Sequence, residues 1–230
     1  MNNKSQVGQD VWLNNNIFKN KKNGVFVEVG AFDGVGGSNT YFFEKELNWS
    51  GILIEPHSLN YKDMVEKSGR VNSIMENCAI DEMDGEVSFL MMNGACDILS
   101  GMVKDYHPQH KQRIEHELGQ FKSNPFDHHH KTEQNIVKVK SYRLQTLLDK
   151  YNYKDIDLCS IDVEGGEMAV VKSIDFDKVN IKCFLIENNF QEKNVENFLK
   201  TKGYRLLSKI QYDDVYVKDV GNMEMPIYTI

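Results

Sequence analysis

The chain has 230 residues, of which 40% are hydrophobic and 27% charged, with a net charge of −7. That composition is ordinary for a globular protein with room for a substantial core, and its acidic balance argues against a broad nucleic-acid surface, which needs clustered Lys and Arg. No apolar run approaches the ~18 residues of a membrane span, and the polar Met1-Asn2-Asn3-Lys4 start shows no secretory h-region, so a cytoplasmic location is expected.

The pattern from Ser5 to Phe18 predicts a helix, with Gln6 and Gln9 able to reach a ligand from the N-terminal segment. A polar loop over Lys19–Gly24 follows, with Gly24 as a C-cap. Val25–Val29 reads as a buried strand that ends in a sharp turn at Gly30, Ala31 and Gly34. Ser38 to Leu47 reads as a helix, with Ser38 or Asn39 as N-cap or ligand contact. A second strand runs from Gly51 to Ile54 and ends in Glu55, completing a β-α-β unit.

Leu59–Lys67 predicts the next helix, and Val71–Ile80 a third strand. The turn near its end, at Asn77-Cys78-Ala79, is where a sheet of this kind meets an adenine, which points to Cys78 and Ala79. Glu86–Met92 is a further strand. Residues 93–134 then break the rhythm. They carry six of the seven histidines and no long periodic segment, with a short helix over Arg113–Phe121. Such an insertion reads as a cap for an acceptor; its His128-His129-His130 triplet reads as solvated loop, since adjacent side chains rarely face one ion.

Ile136–Lys140 is an alternating strand and Leu144–Lys150 a helix. Asp157–Ile161 is an apolar strand running into Asp162, Glu164, Gly165 and Gly166, before a helix with Val170, Val171 and Ile174. Ile181–Ile186 is a strand ending in Glu187-Asn188-Asn189, and Val195–Lys202 a helix. Tyr204–Ile210 and Val215–Lys218 read as a closing antiparallel pair. The whole predicts one α/β domain over 1–230, with a doubly wound, mostly parallel sheet. The four cysteines, Cys78, Cys96, Cys159 and Cys183, form no C-x-x-C pair and read as buried thiols.

The chemistry gathers where strands end. A carboxylate at the tip of the second strand, Glu55, suits the two hydroxyls of a ribose. A dinucleotide fingerprint fails, because Phe32 and Val35 stand where glycines belong. Glu28 and Asp33 instead flank the turn; they repel a pyrophosphate and suit a sulfonium with an ammonium, as in S-adenosylmethionine. An NAD-dependent sugar-nucleotide enzyme and a non-catalytic binding module remain as alternatives. Asp162, Glu187 and Asn188 offer oxygen ligands suited to Mg²⁺ or Mn²⁺. In a metal-free alternative, Asp162, Glu164 or His57 is the general base.

Taken together, Ser5-Gln6-x-Gly8-Gln9-Asp10, Phe26-Val27-Glu28-Val29-Gly30-Ala31-x-Asp33-Gly34, Ser38-Asn39-Thr40, Leu53-Ile54-Glu55-Pro56 and Ser160-Ile161-Asp162-Val163-Glu164-Gly165-x-Glu167 resemble the FkbM family of S-adenosylmethionine-dependent methyltransferases. The resemblance implies a class I methyltransferase (Rossmann-like) fold with a seven-stranded sheet, and transfer to a hydroxyl of a sugar, glycan or macrolide-type acceptor; a sugar or glycan is expected here. It also implies donor contacts from Glu28, Gly30, Asp33, Ser38, Asn39 and Glu55, with Asp162 near the methyl group. More distant metal-dependent O-methyltransferases carry acidic residues and an asparagine in places comparable to Asp162, Glu187 and Asn188. The sequence leaves a homo-oligomer open.

Overall fold

The computed structural model describes residues 3–123 and 134–219, without the side chains of residues 95 and 118–123. The chain opens with α1 (Gln9–Leu13), which widens into a π-helical turn over Asn14–Phe18. Then come β1 (Val25–Val29), α2 (Tyr41–Leu47), β2 (Ser50–Ile54), α3 (Ser58–Lys67) and β3 (Ser73–Glu76). A middle section holds β4 (Ala79–Ile80), β5 (Gly85–Met92), β6 (Gly101–Met102), α4 (Pro108–Ser123) and β7 (Gln134–Tyr142). The last part holds α5 (Leu144–Lys150), β8 (Asp155–Ile161), α6 (Glu167–Lys172), β9 (Asn180–Glu187), α7 (Asn194–Thr201), β10 (Tyr204–Ile210) and β11 (Asp213–Lys218).

The main sheet has seven strands in the order β3-β2-β1-β8-β9-β11-β10. β11 runs antiparallel to both its neighbours, β9 and β10, and the other pairs are parallel. This is the class I methyltransferase order. The chain winds outward from β1 in one direction and from β8 in the other, so a crevice opens between them at their carboxyl ends, where open α/β sheets bind ligands.

Strands buried on both faces read as continuous apolar runs, and side chains alternate between the two faces. Val27, Val29, Ile52, Ile54, Cys159 and Ile161 face one core with Leu144, Leu147 and Leu148 of α5 and Val170 and Val171 of α6. Phe26, Leu53, Leu158 and Leu185 face the other core, with Leu13, Phe42, Phe43, Trp49 and Met64. Fully burying one such side chain contributes about 1.5–3 kcal/mol, so these layers fix the strand register that aligns the site. All four cysteines are buried and none forms a disulfide. Among the described residues, no helix is long and apolar enough to cross a membrane.

Five expectations need correction. The helix after β1 begins at Tyr41, with Thr40 in the N-cap position, rather than at Ser38. The first helix begins at Gln9 rather than Ser5. The chain leaves its last turn at Lys19 in the left-handed region (φ 49°), whereas Gly24 is small because a Cβ there would lie 2.4 Å from the Trp49 ring. Val71–Ile80 is two strands. It breaks at Asn77, whose side-chain amide donates to the Glu55 and Pro56 carbonyls; β3 stays in the main sheet while β4 joins another. That second sheet has the order β4-β7-β5-β6, and the expected loop over 93–134 supplies β6, a 3₁₀ turn over Gly94–Leu99 and the 16-residue α4. His128–His130 lie outside the described residues.

Candidate functional site

The crevice between β1 and β8 opens into a cavity of about 650 Å³. Its floor is the turn after β1. Gly30 sits at φ 84°, and a Cβ there would lie 1.7 Å from the Asp162 carbonyl oxygen. The Gly30 and Ala31 N–H groups both donate to the Ile54 carbonyl at 3.0 Å, and the Asp162 N–H donates to Val29 at 3.0 Å. Only glycine permits this approach, which knits β1, β2 and β8 together at their tips.

Glu28, 4% exposed, organises the next loop. Its carboxylate accepts from Ser38 Oγ (2.8 Å), Thr40 Oγ1 (2.6 Å) and the Asn39 N–H (2.8 Å). Arg70 braces the same loop, donating to Ser38 Oγ, Thr40 Oγ1 and the Gly34 carbonyl. Its Nε donates to Glu44 at 2.6 Å, and both side chains are almost fully buried. Burial pushes Glu44 up, but Arg70, Ser73 and the Asn72 N–H together hold it below the ordinary carboxylate value. The loop therefore presents Ser38 and Asn39 to the cavity on a satisfied buried frame. One atom is left over: Asn39 Nδ2 donates to Ser160, while its buried Oδ1 has no partner among the described residues.

At the tip of β2, Glu55 accepts from the Phe32 N–H (2.8 Å) and the His57 N–H (2.7 Å). Burial pushes it up to about 7. It lines the cavity with Cys78 and Ala79, which the break after β3 swings inward. Burial raises the Cys78 thiol to about 12, so it is a neutral wall.

On the other side stand β8 and β9. Asp162, Glu164 and Glu187 bring carboxylate oxygens within 4.8 Å of one another. Burial and mutual repulsion raise Asp162 and Glu187 well above ordinary carboxylate values, and a hydrogen bond joins the two. In such a crowded buried group each carboxylate disfavours ionisation of the other. Glu167 is likewise pushed up to about 7 by burial. It shapes the turn by accepting from the Val163 and Gly165 N–H groups.

Four expected site residues lie elsewhere. Gln9 is buried against the C-terminal hairpin, donating to Asp213 at 2.7 Å; Gln6 reaches the cavity instead. Asp33 accepts from the Val35 and Gly36 N–H groups and closes the turn without lining the cavity. His57 caps α3 by accepting from the Asn60 N–H, and its Nε2 lies 2.9 Å from the Met92 carbonyl, so neither ring nitrogen is free to act as a base. Asn188, the first residue past the end of β9, turns to Glu192 and Asp214, while its neighbours Glu187 and Asn189 line the cavity. The expected Mg²⁺ or Mn²⁺ set of Asp162, Glu187 and Asn188 therefore lacks Asn188; the acids that do cluster there are Asp162, Glu164 and Glu187.

The cavity also recruits residues the sequence reading gave no role: Ser160 from β8, Asn189 and Phe190 from the turn after β9, Asp97 from the 3₁₀ turn, and His110 and Arg113 from α4. Asn189 was signalled by its two-residue spacing from Glu187. His110 and Arg113, three apart, share a helix face, a signal that exists only once α4 is known to be a helix.

The sequence matches the family model of the methyltransferase FkbM domain over residues 28–206. A comparison with curated proteins returns no match. Solved structures similar to this chain include methyltransferase FkbM from Methylobacillus flagellatus KT, at 13% identity over 86% of this chain and 44% of that one, TM-score 0.45. They also include precorrin-6y C5,15-methyltransferase from Geobacter metallireducens GS-15, at 10% identity over 91% and 88%, TM-score 0.47. The chain spans less than half the length of the Methylobacillus protein. By the family match, which takes in the β1 turn, the tip of β2 and the β8 turn, the chain belongs to the FkbM methyltransferase family.

Proposed function

We propose that the protein is an S-adenosylmethionine-dependent O-methyltransferase acting on a hydroxyl of a sugar or glycan. The observation that carries this reading is the charge of the cavity. Among its described lining residues are six carboxylates, Glu28, Glu55, Asp97, Asp162, Glu164 and Glu187, against one guanidinium, Arg113, and no lysine. A pyrophosphate would be repelled there, which disfavours the NAD reading. A sulfonium and an ammonium are attracted, and a bound cation favours the ionised forms of Glu55, Asp162 and Glu187 that burial disfavours without one.

On this reading the unpartnered Asn39 Oδ1 accepts from the ammonium, Glu55 takes the ribose hydroxyls, and Cys78 and Ala79 flank the adenine. Asp162 stands beside the sulfonium, which supplies an already activated methyl group. The protein's work is then to align acceptor oxygen, methyl carbon and sulfur and to exclude water. The described part of the insertion, which lines the cavity from Asp97 to Arg113, caps the acceptor side within a single domain. The sugar or glycan class rests on the family resemblance. Asn188 faces away from Asp162 and Glu187, so the step is written without a metal, and the EDTA arm below tests whether the Asp162, Glu164 and Glu187 cluster requires an ion.

The test is transfer of tritium from methyl-labelled S-adenosylmethionine to a panel of methyl glycosides, with and without EDTA. Labelled methyl ether that persists in EDTA supports the proposal. Label transfer that depends on added Mn²⁺ overturns the metal-free form, and no transfer to any glycoside overturns the acceptor class.

A further inference from the structure

His110 is 1% exposed yet lines the cavity. It stacks flat on Tyr106, with ring centroids 4.8 Å apart and planes 14° apart. Its Nδ1 lies 3.1 Å from Glu164 Oε2, close enough for a hydrogen bond but not aligned as one. Its Nε2 is buried with no partner among the described residues, and Glu164 Oε2 lacks a hydrogen-bond partner too. Buried polar atoms are normally paired, and each exception needs an explanation. Both residues line the cavity, and a ligand reaching Nε2 from it would complete the pair. Catalytic hydrogen bonds are often poorly aligned until the substrate arrives.

The fold builds this contact deliberately. Glu164 is held in the left-handed region (φ 58°), a strained conformation for a side chain of its size. Gly165 follows at φ 116°, and a Cβ there would lie 2.7 Å from the Asp105 carbonyl. The chain before α4 therefore presses directly on the β8 turn, which sets His110 beside Glu164. Among the described residues, the charged and titratable groups near the imidazole include Glu164 across the turn, with Asp162 and Glu187 within 4.8 Å of it and Arg113 3.9 Å from it, and Asp105, Tyr106 and His107 on the same segment.

We propose that His110 is the general base for methyl transfer, with Glu164 as its positioning carboxylate; this rests on the methyltransferase reading above. Glu164 fixes the proton on Nδ1 and leaves the Nε2 lone pair facing the acceptor. The acceptor hydroxyl gives its proton to Nε2 as its oxygen bonds to the methyl carbon. The carbon–sulfur bond breaks with its electron pair kept on sulfur. The products are a methyl ether, a neutral thioether and an imidazolium that releases its proton to solvent. The insertion would thus supply a reacting group as well as a cap.

Two measurements test this on the full chain. The first is the imidazole nitrogen spectrum of histidine-labelled protein with S-adenosylhomocysteine added, with His110 assigned by its loss in His110→Asn. The expected result is a proton on Nδ1 and a bare Nε2, with Glu164→Gln mixing the tautomers. A proton on Nε2 overturns the proposal. The second is label transfer to the methyl glycoside panel beside calorimetric binding of S-adenosylmethionine. His110→Asn should cut transfer by about 10²-fold or more with donor affinity unchanged, and added imidazole should restore part of the turnover of His110→Gly. Donor affinity that falls in step with rate makes His110 a donor ligand and overturns the proposal. A wild-type chain that binds no donor defeats the methyltransferase reading, and the step with it. Donor binding with the wrong tautomer defeats this proposal alone.

Discussion

Glu55 and Glu167 show what burial does to single residues at this rim. Each is raised from 4.5 to about 7. Between those values the folded chain keeps protons that the unfolded chain releases, so the contribution of these two residues to stability falls as pH rises from about 4.5 to about 7 and levels off above. Asp162 and Glu187 act in the same direction. Urea midpoints measured from pH 5 to 8 should therefore decline, with Glu55→Gln flattening the slope; a rising midpoint would contradict the burial account. A bound cation reverses the preference by favouring ionised Glu55, so donor binding near pH 6 should release protons, read by calorimetry in buffers of different ionisation enthalpy. Glu28 is a different case. Glu28→Gln retains one acceptor oxygen where three donors converge. It should cost about 1–3 kcal/mol and weaken donor binding through the Ser38–Thr40 loop. Unchanged donor affinity would mean that the loop does not meet the donor.

Gly30 and Gly165 tie elements together. Gly30→Ala places a Cβ 1.7 Å from the Asp162 carbonyl at a positive φ, and should cost about 2–4 kcal/mol in a denaturant titration. Gly165→Ala should instead loosen the contact with Asp105, raising hydrogen exchange in α4 while β1, β2 and β8 stay protected; equal loosening of those strands would show that the insertion and main sheet open as one unit. The elements of the main sheet were readable because β1, β2, β8 and β9 are buried on both faces and appear as unbroken apolar runs. α4 was not. Of its described side chains only His110 and Ile114 are buried, so its hydrophobic period is too sparse to separate from a polar loop. β4 was hidden because the break at Asn77 depends on carbonyls of Glu55 and Pro56, more than twenty residues away. The same limit governs the site. Glu55, Ser38 and Asn39 could be placed from strand ends, but a carboxylate that closes a turn, as Asp33 does, looks in sequence like one that meets a ligand.

For the whole molecule, the two halves of the sheet meet at β1 and β8 and leave one acidic cavity between them, partly roofed by the insertion. That arrangement is a claim about ligand charge before it is a claim about chemistry. A ligand at 100 times its dissociation constant stabilises the native state by about 2.7 kcal/mol, roughly 5 °C or more for a chain of this size. The most direct measurement is calorimetric titration of the full chain with S-adenosylmethionine, S-adenosylhomocysteine and NAD, repeated on Glu55→Ala. The account predicts saturable binding of the two methyl-cycle ligands, tighter for the cationic donor at pH 8 than at pH 6, none for NAD, and loss of affinity in the variant. Binding of NAD alone, or donor binding untouched by the Glu55 substitution, would contradict it.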